Sequence, residues 1–280
     1  MKVGLGLPIC DPSSLMTWAR RAEAGPFTTL ALLDRIVYDN PEPLIALATI
    51  AGATTRIRLQ TEVLLAPLRE PALLAKQCAT LDWISGGRLT LGIGVGSRPE
   101  DFLAVGADYA ERGHRVDEMM PVLKRIWSGR PYGDQAAAIG PAPARANGPE
   151  VLFGGFVPAA FRRAAHWGDG YLSATRVENT GPLFRAVEKE WAAAGRAGSP
   201  RLVGQVNVTL GPEDVVADAR RAIRSYYASL ADSYDVHMVT TADQIRSTIS
   251  GFADLGADEV TLYCWARDPD QVNRLADFVD

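Results

Sequence analysis

The sequence predicts an α/β protein in which eight parallel strands, each followed by a helix, close into a barrel. Three observations carry this expectation. Short apolar runs alternate with amphipathic stretches eight times along the chain, an order that implies right-handed crossovers and a parallel sheet. The runs are nearly continuous in Val, Ile, Leu, Ala and Gly, as strands covered on both faces are. The length, 280 residues, is near the roughly 250 typical of one such barrel.

The strands fall at Val3–Pro8, Thr28–Asp34, Ile57–Leu65, Leu89–Gly96, Val151–Gly155, Gly170–Ser173, Leu202–Thr209 and Glu259–Tyr263. The first helix, Ser13–Ala24, opens after Pro12 with a serine that suits a cap, and Glu42–Ala53 has Pro43 in its first turn. Pro71–Ile84 places proline at its start, where the missing N–H costs nothing. Arg112–Trp127 spaces Val116, Met119, Met120, Leu123 and Trp127 three or four apart, one face of a helix. Pro158–Trp167, Thr180–Ala194, Pro212–Leu230, Thr241–Leu255 and Pro269–Val279 complete the set, two of them between the seventh and eighth strands. An open doubly wound sheet is the structural alternative, but it usually carries G-x-G-x-x-G after its first strand, where this chain has Pro8-Ile9-Cys10-Asp11-Pro12. Residues 1–280 are read as a single domain. One insertion, 129–149, is rich in Gly, Pro and Ala; a structureless stretch that long is usually a lid, a binding loop or disordered.

Composition excludes several classes. The net charge is −4, against a general nucleic-acid binder. No apolar run reaches the roughly 18 residues of a membrane helix, and MKVGLGLPIC lacks a small-residue cleavage site. Cys10, Cys78 and Cys264 are odd in number and far apart; a reduced, cytoplasmic protein is expected. No lysine ends a strand, the three histidines are scattered in helix or loop, and no His-Glu-x-x-His, Gly-x-Ser-x-Gly or Gly-Lys-Ser/Thr motif occurs. Schiff-base, zinc, nucleophile-elbow and P-loop chemistries therefore lack support, and no metal site is expected.

In a parallel barrel the working groups sit at the C-terminal ends of strands. Those ends hold Cys10, Asp34 and Arg35, Thr61 and Glu62, Gly94, Gly96, Ser97 and Arg98, Gly154-Gly155-Phe156, Ser173-Ala174-Thr175-Arg176, Gln205 and Asn207, and Cys264 and Trp265. The glycines are the positive signal: LGIGVGS and Gly154-Gly155 end strands with bare backbone, which lets a flat ring or a phosphate come close. They also read as mere relief of crowding.

The run TEVLLAPLREPALLAKQCATLDWISGGRLTLGIGVGS (Thr61–Ser97) resembles the hallmark stretch of the bacterial-luciferase-like flavin and deazaflavin oxidoreductases, and VLFGGFVPAAFRRAAHWGDGYL (Val151–Leu172) and Leu33-Asp34-Arg35 resemble two further elements of that family. The resemblance runs in order over nearly the whole chain. It implies a luciferase-like (β/α)8 TIM barrel with an insertion after the fourth helix, binding FMN or coenzyme F420 in the barrel mouth. It implies that Gly154, Gly155 and Ser173 hold the cofactor phosphate, and that Thr61, Glu62 and Val63 lie against one face of the ring, with a non-prolyl cis peptide at Glu62–Val63. Gly94, Gly96, Phe156, Ala174 and Thr175 complete the expected cofactor shell.

This chain departs from the family pattern at Arg35, where many members have histidine. Arginine binds anions but does not relay protons at neutral pH. Arg35 and Glu62 are expected to pair on neighbouring strands, and Asp34, Arg35 and Glu62 are the candidate catalytic residues; a structural ion pair, and for Asp34 a rim hydrogen-bond acceptor, are the alternative readings. The function implied is hydride transfer between F420 or FMN and a small organic substrate. The alternatives are an FMN-dependent monooxygenase fed by a partner flavin reductase, and a non-catalytic flavin-binding subunit. A homodimer is expected by analogy.

Overall fold

A computed structural model describes residues 1–7, 13–133, 137–227 and 237–279. Eight parallel strands close into a barrel in the order β1 (Lys2–Gly6), β2 (Thr29–Leu32), β3 (Arg58–Thr61), β5 (Leu89–Gly94), β6 (Glu150–Gly154), β7 (Gly170–Ser173), β8 (Arg201–Val208) and β10 (Glu259–Cys264), with β10 returning to pair with β1. Short β4 (Leu64–Leu65) hangs on β5, and β9 (Met238–Val239) on β8. All eight expected strands are present with ends displaced by a few residues; Pro8 and Cys10 lie outside the described residues. The expected third strand is divided. Its chain leaves the ladder after Thr61 and re-enters at Leu64, and the Glu62–Val63 peptide between is cis, as the resemblance implies.

The helices around the barrel are α1 (Leu15–Ala24), α2 (Pro43–Ala51), α3 (Pro71–Ile84), α4 (Pro99–Ala104), α5 (Arg112–Trp127), α6 (Pro158–Trp167), α7 (Val177–Ala193), α8 (Glu213–Tyr227), α9 (Ala242–Asp254) and α10 (Gln271–Ala276). The end of the expected Pro212–Leu230 helix, 228–230, falls outside the described residues. The apolar stripe of α5 is buried as its spacing predicts. Each such side chain contributes about 1.5–3 kcal/mol of transfer free energy, and Trp127 Nε1 also donates to Ala75 O of α3 at 3.0 Å. Only α4 was not expected: six residues offer too short a period to read.

Strand alternation organises the barrel interior into layers. On β3, Arg58, Gln60 and Glu62 fall at every second position and share the inward face. Arg58 belongs to the N-terminal layer with Thr90, Glu150, Arg201 and Glu259 from the starts of β5, β6, β8 and β10. There Glu150 accepts from Arg58 at 2.7 Å, Arg201 at 2.6 Å and Thr90 at 2.7 Å, and Arg201 also reaches Glu259 at 2.6 Å. Above them Leu152, Leu172 and Val203 form a small apolar cluster capped by Val63.

The insertion places none of its described residues in the lining of the barrel mouth. Its described part folds against the N-terminal end: Arg145 donates to Gly87 O and Leu89 O at the start of β5, and its backbone N–H to Asp82 of α3. Lys76 of α3 donates to Gly140 O. Of the readings open for this stretch, a lid finds no support among the described residues, whose partners lie away from the strand C-termini.

Candidate active site

The C-terminal end of the barrel opens into a cavity of about 360 Å³. Its floor is the topmost inward layer, Leu33, Glu62, Gly94, Gly154, Leu172 and Gln205, one residue from each of six strand ends. Its walls come from the loops and from Arg98, Tyr109, Arg112, Phe156, Tyr226 and Tyr227. Of the residues expected from sequence, Asp34, Arg35, Glu62, Val63, Gly94, Gly96, Gly154, Gly155, Phe156 and Ala174 line this one cavity.

Thr61, Ser173 and Thr175 do not. The reason is strand parity: a residue beside an inward one faces outward. Thr61 Oγ1 donates to Gly92 O at 2.7 Å, and Ser173 Oγ meets the Thr180 hydroxyl of α7 at 3.2 Å in a fully buried setting. Thr175 contributes its carbonyl to Thr180 Oγ1. The expectation that the Ser173 hydroxyl holds a phosphate in the cavity is therefore corrected.

The glycines also act differently from the simplest reading. A Cβ on Gly94 would strike Val63 Cγ2, one on Gly92 would strike Thr61 O, and one on Gly154 would lie 3.0 Å from Val63 Cγ1. These bare strand ends accommodate the Thr61–Leu64 bulge, whose Val63 side chain then forms part of the cavity wall. Gly155, at φ +136°, adopts a backbone that side-chain-bearing residues rarely take, and its carbonyl accepts from Tyr171 Oη at 2.7 Å.

Arg35 and Glu62 do not pair. Arg35 is 7% exposed; its Nε donates to Asp101 of α4 at 2.7 Å, and its other nitrogens reach Glu100, Val37 O and Tyr226 O. Asp101 in turn accepts from the N–H groups of Ile36 and Val37. The unexpected helix α4 thus supplies the counter-charge that sequence reasoning assigned to Glu62, and the Arg35–Asp101 clasp folds the loop after β2. Asp34 is likewise committed: it accepts from Leu65 N–H at 2.8 Å and from both terminal nitrogens of Arg69, at 2.6 and 3.2 Å. Burial pushes the Asp34 carboxyl up, against the Arg69 charge and these hydrogen bonds. It ties down the far end of the bulge through Leu65, in line with the alternative reading as a rim hydrogen-bond acceptor, and it also lines the cavity.

Glu62 is different. It is 2% exposed among the residues lining the cavity; Oε2 accepts from Gln60 at a long 3.4 Å, Oε1 is sealed off, and the Thr261 hydroxyl lies near enough to hold the carboxyl down in part. Burial, reinforced by the nearby Glu259 charge, pushes its carboxyl up to about 8. Most of it is therefore protonated at neutral pH. Arg98, 7% exposed, stacks on Tyr226 at 4.8 Å and Tyr227 at 5.8 Å. Arg112 stacks on Tyr109 at 3.9 Å and gives one nitrogen to Tyr109 O. Tyr226 and Tyr227 were missed by strand-end reasoning because they arrive from the last turn of α8. A strand-end rule carries no signal for them.

Against known proteins, the model of the family described as luciferase-like monooxygenase matches residues 3–260. An uncharacterized protein of Mycobacterium tuberculosis is 31% identical over 183 residues, covering 55% of this chain and 62% of that protein. The chain thus spans under two thirds of that relative's length. The 4-hydroxyprotoasukamycin monooxygenase of Streptomyces nodosus subsp. asukaensis is 29% identical over 247 residues, 78% of this chain and 67% of that enzyme. Among solved structures, monooxygenase RslO1 from Streptomyces bottropensis superposes with a TM-score of 0.83 at 20% identity, covering 100% of this chain and 98% of that one. An F420-dependent secondary alcohol dehydrogenase in complex with an F420-acetone adduct gives 0.81 at 17% identity, covering 99% and 98%. At these identities the structural likeness establishes the fold.

Proposed function

Since the chain belongs to the luciferase-like monooxygenase family, we propose that its barrel-mouth cavity binds F420 or FMN and carries out hydride transfer with a small organic substrate. The observation that carries this reading is the floor of the cavity. The Val63 side chain, packed over Leu152, Leu172 and Val203, and Glu62, whose buried carboxyl is pushed up, both lie among its lining residues. That apolar wall beside bare glycine backbone suits a flat heteroaromatic ring, and Arg112 among the lining residues suits an anionic tail.

When bound, such a cofactor supplies the carbon or nitrogen that gives or accepts a hydride, or in reduced FMN the electrons that activate dioxygen. The chain's own residues then have separable tasks. Val63 and Leu172 offer apolar surface. Asp34, through Leu65 and Arg69, fixes the bulge. Glu62 offers a proton or a hydrogen bond from its carboxyl oxygen toward the reacting centre, near neutral pH where a general acid is most effective. Arg35, bound to Asp101, shapes the loop after β2 and makes no proton transfer.

A monooxygenase is the second reading. It is favoured by the 4-hydroxyprotoasukamycin monooxygenase, whose alignment spans most of this chain. A partner flavin reductase belongs to that reading, as one relative is named as the oxygenase component of a trigonelline monooxygenase in Acinetobacter baylyi. Exposed Ile45, Leu73, Trp83 and Ile84 on the adjacent helices α2 and α3 support a homodimer, which sedimentation would test. Parallel fluorescence titrations with F420 and FMN test the main proposal. Tight binding of one cofactor is expected; binding of neither discards it. Oxygen consumption by the loaded, reduced protein then separates monooxygenase from dehydrogenase.

A further inference from the structure

The charged residues of the cavity do not balance. Asp34 is taken by Arg69, and Asp101 by Arg35 and two backbone N–H groups. The Glu62 carboxyl is neutral in the ordinary pH range of an enzyme. What remains is cationic: Arg112, and above all Arg98. Arg98 is buried in the cavity wall, and its partners among the described residues are two aromatic rings. Among the described residues it makes no hydrogen bond or ion pair through its side chain, and none of its nitrogens is among those sealed away without a partner. Stacking occupies the face of a guanidinium and leaves its edge of N–H donors free. A buried cation without a counter-charge is costly, so this edge is a prepared oxyanion site.

Arg112 and Arg98 both line the cavity, and Tyr109, on which Arg112 stacks, donates from its hydroxyl to Ser97 O beside Arg98. Arg98 lies against the last turn of α8, where Tyr226 also touches Tyr38, Trp265 and Arg35. Tyr38 follows β2 and Trp265 follows β10, across the barrel from the Gly154–Gly155 turn after β6, so Arg98 reaches away from that turn.

We propose that Arg98 is the specificity residue for an acidic substrate, gripping a carboxylate or phosphate group at the α8 side of the cavity. This rests on the cofactor reading above only in that the ring is assigned to the remaining space. The guanidinium edge would take two oxygens of the anion in parallel hydrogen bonds, with the Tyr226 and Tyr227 rings holding the arginine against rotation. The oxyanion chemistry is shared by a substrate acid and by a cofactor phosphate; we assign it to the substrate because the ring cluster that holds Arg98 lies across the barrel from the Gly154–Gly155 turn.

The test uses Arg98→Met, which keeps a long side chain on the two rings without the charge, and Arg98→Lys, which keeps charge but not the fork. Wild type and both variants, checked for folding by circular dichroism, are titrated with F420 and FMN. They are then titrated, loaded and unloaded, with benzoate, phenylacetate and hexanoate and with the matching neutral amides, by calorimetry and by cofactor fluorescence. Carboxylates are expected to bind at least about tenfold more tightly than their amides, and Arg98→Met to lose that preference while Arg98→Lys retains part of it. Cofactor affinity is expected to change by less than about threefold, as for a residue outside its contacts. Equal binding of acids and amides by wild type overturns the proposal. So does unchanged acid binding by Arg98→Met, or a loss confined to cofactor binding, which would reassign Arg98 to the cofactor phosphate. If neither cofactor binds, the cofactor reading fails, yet the unloaded titration still decides the role of Arg98.

Discussion

At the N-terminal end of the barrel, Glu150 is held by Arg58, Arg201 and Thr90, and both oxygens of Glu259 are engaged by Arg201 and Thr28. Burial alone would raise Glu150, but the Arg201 and Arg58 charges outweigh it and hold the carboxyl below its ordinary value. At the C-terminal end, just past β3 and two positions on from Gln60, Glu62 pairs with no cation among the described residues, and Arg98 with no anion. The same residue types are buried at both ends. Where carboxylate and guanidinium are matched, they join strands; where they are left unmatched, the molecule keeps hydrogen-bonding capacity for something that is not part of the chain. The difference teaches that burial of charge alone does not mark a site. Incomplete pairing does.

The largest expected effect breaks the comparison at its structural end. Glu150→Ala leaves Arg58 and Arg201 facing each other inside the barrel. Removing one partner of a buried pair costs about 3–5 kcal/mol, and urea unfolding should show it. A variant as stable as wild type would mean that the lower layer is no more structural than the mouth.

Glu62→Gln addresses the other end and should leave folding intact while lowering turnover by about 10²–10⁴, the usual contribution of a positioned acid or base. It also has a stability signature. The folded carboxyl titrates near 8 against an ordinary 4.5. Between those values the native state holds a proton that the unfolded chain has released, so stability is fully present below about 4.5 and declines as pH rises through 8. Glu62→Gln should remove that slope from unfolding curves measured across pH 5 to 9. A slope identical in the two proteins would mean that Glu62 is charged in the fold, like Glu150. Gly94→Ala sharpens the same contrast more gently. Its methyl collides with Val63 Cγ2, and overpacking of this kind costs about 1–3 kcal/mol. The loss should appear first in cofactor affinity, because the bulge carries the cavity wall.

How legible this was depended on periodicity. The eight strands and the buried face of α5 could be read because their patterns repeat over enough residues. The Glu62–Val63 bulge and the two glycine-ended strands were legible through the motif runs Thr61–Ser97 and Val151–Leu172. The partners of Arg35 were not, since Asp101 sits on a six-residue helix with no pattern of its own. Tyr226 and Tyr227 lie far along the chain, on a helix that strand-end reasoning ignores. The errors at Thr61 and Ser173 were of another sort. Selecting every residue at a strand end disregards alternation, and half of those residues face the helices.

Ser173→Ala turns that last point into the smallest and most specific prediction. Leu172 and Ala174 line the cavity, while Ser173 between them is fully buried with its hydroxyl against Thr180 at the start of α7. Thr180 Oγ1 keeps the carbonyls of Thr175 and Arg176 as partners in either case, and the Tyr171 hydroxyl, which Ser173 also meets, keeps Gly155 O, so the alanine removes the contacts of one hydroxyl and leaves no buried group stranded. The loss should be about 1 kcal/mol or less in stability, seen as a small drop in the urea midpoint with an unchanged slope. Affinity for F420 or FMN should stay within about twofold of wild type, as for a substitution with no ligand contact. A tenfold weaker cofactor would instead put the hydroxyl in the phosphate site, and the parity of β7 would then have to reverse when ligand binds. Paired with Glu62→Gln, it compares an outward and an inward polar residue at the same end of the barrel, which isolates orientation from position.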